Sequence, residues 1–144
     1  MDIVSNATKW VEQNQSLICL LGRTLTLEEQ IIASHVGVAT PEQVHVYEVP
    51  VIKPPNDPVL AASCEQFGFL TANTIGLTLG YGIYIKQGYL STRLLSHELR
   101  HVYQYEQAGS TEMFLSRYIS EIMKFGYENA PYELDARSHE LRNT

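Results

Sequence analysis

The sequence predicts an α+β fold, a small and mainly antiparallel sheet packed on helices, with one central helix that carries the chemistry. Three observations lead there. The first third has helical periodicity with recognisable caps, the middle turns to period-two and glycine-punctuated β-branched stretches, and from residue 91 three capped helical segments follow one another. Helices, then strands, then helices segregate the two kinds of element, where an α/β fold would interleave them.

The opening helix is expected over residues 4–20, where Val4, Trp10, Val11, Leu17 and Ile18 are apolar although Asn and Gln interrupt the middle. A second helix is better defined, over residues 26–36. Thr26 and Glu29 form a capping box there, because hydroxyl and carboxylate each satisfy an orphan N–H of the first turn. Leu27, Ile31, Ile32 and His35 recur on one face, and Gly37 stands where a left-handed stop belongs. After Pro41 the period becomes two, with Val44, Val46 and Glu48 alternating against His45, Tyr47 and Val49, which reads as a strand. Pro50, Pro54, Pro55 and Pro58 then impose a loop internal to the domain, before a short helix over residues 59–67. Residues 74–85 are β-branched and aromatic with glycines at 76, 80 and 82, giving two short strands or one kinked strand.

Ser91 or Thr92 caps a helix through about Gln107, stopped by Gly109. Ser110 or Thr111 opens the next, through Phe125 with Gly126 beyond, and Phe114, Tyr118, Ile122 and Phe125 form its buried stripe. Pro131 fits the first turn of the last helix.

Composition bounds the function. The 144 residues fit a single domain over 1–144, and a chain of this size buries enough surface to fold without disulfides or a structural metal. Cys19 and Cys64 are two cysteines far apart, read as free thiols. A net charge of −6 without a basic stretch argues against nucleic acid and anionic membranes as partners. With neither a signal peptide nor a membrane-spanning run, the expected location is the cytoplasm.

Within the helix from residue 92 lies Ser96-His97-Glu98-Leu99-Arg100-His101. Histidines at i and i+4 project from one helix face about 6 Å apart along the axis, a spacing at which two imidazoles can share one Zn²⁺. Glu98 falls about 100° around from His97, beside the metal and off it, where a carboxylate can take a proton from a metal-activated water. Chance gives about 0.016 such HExxH patterns in a chain of this composition, and Leu94, Leu95, Leu99 and Val102 place this one in a strong helical context.

A catalytic zinc needs a third protein ligand and an open position. Residues 104 and 107 are both Gln, so the ligand must come from further on, and Glu133 is the best offer, at the start of the helix that Pro131 opens. The helix between them is long enough to bring this one back antiparallel to the first. His139 and Glu140 are weaker alternatives, and Gln104 and Tyr105 extend the histidine face, where they either touch substrate or simply pack. Tyr103, Tyr105, Tyr127 and Tyr132 are all candidates to stabilise an oxyanion.

HELRHVYQYEQAG followed about thirty residues later by YENAPYELDAR resembles the small bacterial gluzincin-like HExxH zinc metallopeptidase domains. The resemblance covers roughly residues 74–140 and leaves 1–70 without a match. It implies a minimal zincin-like fold, Zn²⁺ held by His97, His101 and Glu133, Glu98 as general base, and an extended peptide held along a strand within residues 77–86. It also implies an acid four positions after the ligand glutamate to orient a metal histidine, where this chain has Arg137; Asp135, two positions on, should point elsewhere. Either another group orients the histidine or the site is looser. The expected function is therefore zinc-dependent hydrolysis of peptide bonds. The alternatives are a catalytically weak or inactive zinc-binding interaction module, and a metal-free helical domain with surface histidines.

Overall fold

Among the described residues, short polar side chains open five of the six helices by accepting from their first free amides. Asp2 precedes α1 (Ile3–Leu21) and Thr26 precedes α2 (Leu27–His35), where the capping box with Glu29 is formed on both sides. Between them lies the two-residue β1 (Arg23–Thr24). A 3₁₀ turn over Pro41–Gln43 leads into β2 (His45–Val49), and Asp57 opens α3 (Pro58–Gln66) after the proline loop. The glycine-rich stretch is a hairpin, β3 (Gly76–Leu79) and β4 (Gly82–Lys86), turning at Gly80, whose φ of +69° suits glycine. Ser91 caps α4 (Thr92–Ala108), which Gly109 ends in the left-handed region, and Ser110 caps α5 (Thr111–Phe125). Only α6 (Pro131–Ser138) lacks a side-chain cap; Ala130 precedes it and Pro131 fills its first turn. These elements come from a computed structural model that describes residues 2–142.

The sheet has the order β1-β2-β4-β3 and is mixed: β1–β2 and β3–β4 are antiparallel, whereas β2 and β4 run parallel in the register His45↔Gly82 to Val49↔Lys86. Its two faces bury different neighbours. Val44, Val46, Ile83 and Ile85 pack with Ala33 and Val36 around α2 and with Leu95, Leu99 and Val102 of α4. Leu77, Leu79 and Tyr84 turn the other way, onto Ala7, Val11 and Ile18 of α1 and the aromatic residues of α5. Burial on both faces explains why β4 is apolar from Gly82 to Ile85 instead of alternating, with Lys86 at its half-buried end. It also ties residues 1–70 to the motif-bearing part, because α1 covers one face of the hairpin.

Two apolar stripes differ from expectation. Leu27 and Ile31 are 79% and 70% exposed and His35 is exposed too, because α2 docks through Ala33 and Val36 instead of that face. Phe125 is 46% exposed while Phe114, Tyr118 and Ile122 are buried as expected; the last turn of α5 runs past the core. Cys64 is buried, which pushes its thiol up to about 11, and Cys19 is half-buried; both are free. Among the described residues no helix is long and apolar enough to cross a membrane.

Candidate metal centre

Three spacings on α4 divide its labour. Leu95, Leu99 and Val102 face the sheet. His97, His101 and Gln104 form a second row, and α6 runs antiparallel beside it, its partners pairing in reverse order: Gln104 with the Tyr132 carbonyl, Arg100 with Asp135, and beyond the helix Arg93 with Glu140. Glu98 faces β3.

The two imidazoles lie 4.9 Å apart between ring centres, nearly perpendicular, and Glu133 reaches them from the first turn of α6. Its Oε1 is 3.3 Å from His97 Nε2 and its Oε2 is 3.1 Å from His101 Nε2. Ligands at 2.0–2.2 Å around a tetrahedral ion stand about 3.3 Å from one another, so these separations, which suit a direct ion pair, also fit atoms sharing one cation. One ligand atom from each of His97, His101 and Glu133 lies within 4.8 Å of the others.

Two further observations fit a cation. Glu133 is 2% exposed, and its Oε1 has no hydrogen-bond partner, a state that burial makes costly for a carboxylate oxygen. The far nitrogens of both imidazoles are also already committed. His97 Nδ1 meets Glu140 Oε2 at 2.8 Å, and His101 Nδ1 meets Gln104 Oε1 at 2.7 Å. The Gln104 amide nitrogen donates to the Tyr132 carbonyl and to Asp135, each at 2.9 Å, so its oxygen is the atom left to accept from His101. With Nδ1–H donated on each ring, both Nε2 lone pairs converge on the same point as Glu133. The trio can hold a metal ion.

These contacts answer what the sequence left open at Arg137. The Arg137 side chain donates to the Glu128 carbonyl, away from the centre. Asp135, expected to point elsewhere, instead holds Gln104 while paired to Arg100 at 2.8 Å, and so supports His101 through one intermediary. Gln104 is 3% exposed and binds a histidine; it neither faces substrate nor merely packs. Glu140 is no substitute ligand, since it meets the outer nitrogen of His97. His139 turns to the Asp135 carbonyl. Neither metal-site histidine is a surface residue: His101 is 6% exposed and only 13% of the His97 side chain is accessible. The i, i+3 spacing of His101 and Gln104 was a visible signal for that contact.

Glu98 sits against the hairpin. Thr78 Oγ1 donates to its Oε1 at 2.7 Å, and a Cβ at position 76 would come within 3.0 Å of its Oε2, so Gly76 leaves room for the carboxylate. Alternation along β3 puts Gly76 and Thr78 on the α4 side, opposite Ile85 and Ile83. The strand is the sheet edge beside the metal centre. An open groove lined by Thr74, Ile75, Gly76, His97, Glu98 and Tyr127 adjoins a narrower hollow that reaches His101 and Glu133.

Of the four tyrosines considered, Tyr127 lines both the groove and the inner hollow. Tyr103 stacks on Arg100, while Tyr105 and Tyr132 each stack with Phe114, at 3.8 and 4.8 Å between ring centres. Tyr118, whose spacing marks it only as a buried residue of α5, donates its hydroxyl to Glu133 Oε2 at 2.6 Å from within the same aromatic stack.

The chain matches no known family profile, no characterised protein and no solved structure.

Electrostatically, the metal-free trio behaves as an ion cluster. Burial works against the charge on His101, but Glu133, through charge and hydrogen bond, outweighs it and raises the imidazole to about 9. His97 is raised too, burial again being overcome by Glu133 and by the charge of Glu98. Glu133 is held well below the usual carboxylate range: burial pushes it up, and the two histidines and Tyr118 more than reverse that. A metal must displace these protons. Its affinity is therefore expected to rise with pH throughout the range below about 9, by about tenfold per unit for each proton displaced, and to level off above the folded value of His101. Stability without metal runs the other way. Raised His101 stabilises the fold fully below 6.5 and loses that contribution as pH climbs through about 9, with His97 acting in the same direction, while Glu133 contributes above 4.5 and loses it only on strong acidification. Melts in chelator at pH 5.5, 7.5 and 9 beside metal titrations at the same values check both signs.

Proposed function

We propose that the chain is a zinc-dependent hydrolase of peptide bonds, resembling gluzincin-like metallopeptidases, with His97, His101 and Glu133 as zinc ligands and Glu98 as general base. The observation that carries this reading is the pairing of two features: three converging ligand atoms, and a fourth, separate carboxylate on the groove side that the ligand set does not use. A purely structural zinc site has no need of the second feature.

Zinc bound there would polarise the scissile carbonyl and lower the pKa of a water toward about 7. Glu98 takes the proton from that water and delivers it to the leaving amine, and Thr78 holds the carboxylate at the groove. Tyr127, whose phenol lies beside Glu133 where groove and hollow meet, supplies an O–H for the developing oxyanion. The β3 edge binds the substrate extended, through main-chain hydrogen bonds that recognise backbone and not sequence. Gln104 and Glu140 stand where orienting groups belong, which supports a well-ordered metal site in place of the looser one that Arg137 suggested.

The test is elemental analysis of the purified protein together with hydrolysis of an unfolded polypeptide before and after chelation. One zinc per chain and cleavage that chelator stops and zinc restores are the expected results. Protein without stoichiometric metal after incubation with zinc overturns the reading.

A further inference from the structure

We infer that the stretch following α6, residues 139–142, is a working part of the metal centre, with Glu140 as the positioning residue of His97, so that metal binding and docking of this stretch stabilise each other. The inference rests on the proposed metal centre but not on hydrolysis.

Three residues within the first two turns of α4 hold the stretch. Glu140 Oε1 accepts from Arg93 Nε at 2.8 Å and its Oε2 meets His97 Nδ1 at 2.8 Å. One residue on, the Leu141 N–H donates to Ser96 Oγ at 2.8 Å, and Ser96 is fully buried and donates in turn to the Arg93 carbonyl. A buried hydroxyl that spends its acceptor on a backbone amide 45 residues away is a docking point, and it sets the depth at which Glu140 meets the imidazole.

The two histidines differ in their need for such help. His101 is enclosed, and Gln104, its partner, lies on the same helix and is pinned by two further bonds. His97 stands on the groove rim, and its Nδ1 partner arrives only with the stretch after α6. A carboxylate accepting Nδ1–H fixes the tautomer, holds the ring plane and makes Nε2 a better donor. Reciprocity follows: a cation that fixes His97 through Nε2 favours the ring orientation that Glu140 needs, and so holds the stretch against α4. The chain has thus moved the orienting acid from the fourth position after its ligand glutamate, where Arg137 stands, to the seventh.

The experiment has two readouts on the full chain. In zinc titrations against a chelating dye, Glu140→Ala is expected to weaken binding by about 10–100-fold, with Glu140→Gln recovering part of the loss because its amide oxygen can still accept from Nδ1–H. In the wild type, hydrogen exchange of the Leu141 amide is expected to slow when zinc is added, and Glu140→Ala to abolish that slowing. Equal zinc affinity in Glu140→Ala and wild type overturns the inference, as does Leu141 exchange indifferent to zinc. A wild type that takes up no zinc overturns the metal centre and this inference together. Zinc uptake with the Glu140 effects but without peptide cleavage overturns only the hydrolase reading.

Discussion

Glu98→Gln is expected to lower peptide hydrolysis by about 10²–10⁴-fold while leaving one zinc per chain and an unchanged melting temperature. The substitution is close to isosteric, and its amide oxygen can still accept from Thr78, so the packing against Gly76 survives. What it removes is the carboxylate that moves the proton. Because Glu98 is not one of the three converging ligands, metal content serves as the internal control. In a non-catalytic zinc module the same exchange leaves stability, metal content and partner binding all untouched, with no turnover to lose. Parallel zinc analysis and cleavage assays on the variant and wild type separate the two.

Glu133→Ala is expected to act in the opposite place. If the ~10–16 kcal/mol of a tight zinc site is divided over four ligands, each supplies roughly 2.5–4 kcal/mol, so zinc affinity should fall on the order of 10²–10³-fold. The fold suffers as well. Tyr118 is buried and donates its hydroxyl to Glu133, and an abandoned donor in that position costs about 1–3 kcal/mol. Glu133→Gln restores an acceptor for Tyr118 without restoring the anionic ligand. It should therefore melt above Glu133→Ala but below the metal-free wild type, because the charge that pairs with His97 and His101 is gone, and remain deficient in zinc. Titration and thermal melts of both variants check this, and a Glu133→Ala variant that binds zinc like the wild type removes Glu133 from the site.

Locally determined features were readable in advance, and features decided by distant docking were not. Ser91, Gly109, Ser110 and Gly126 bound their helices by capping chemistry that needs only neighbouring residues, and the i, i+4 histidines follow from helix geometry alone. Glu133 was identifiable because Pro131 announces its helix. In contrast, exposure of Leu27 and Ile31 depends on which face of α2 meets α4, and the parallel pairing of β2 with β4 depends on a crossover through α3. The roles of Asp135, Gln104 and Glu140 turn on the rotation of α6 against α4. Side-chain spacing placed Glu140 on the face of Glu133, but only three-dimensional packing decides that it meets the outer nitrogen of His97 and not the metal.

The aromatic stack beside Glu133 gives the protein a built-in optical reporter. Tyr118 donates to a Glu133 oxygen and lies against Phe114. A cation arriving at Glu133 withdraws charge from the oxygen that Tyr118 donates to, weakening that bond and altering the surroundings of one phenol. Metal loading should therefore change tyrosine near-ultraviolet circular dichroism, so that occupancy can be followed without any added dye.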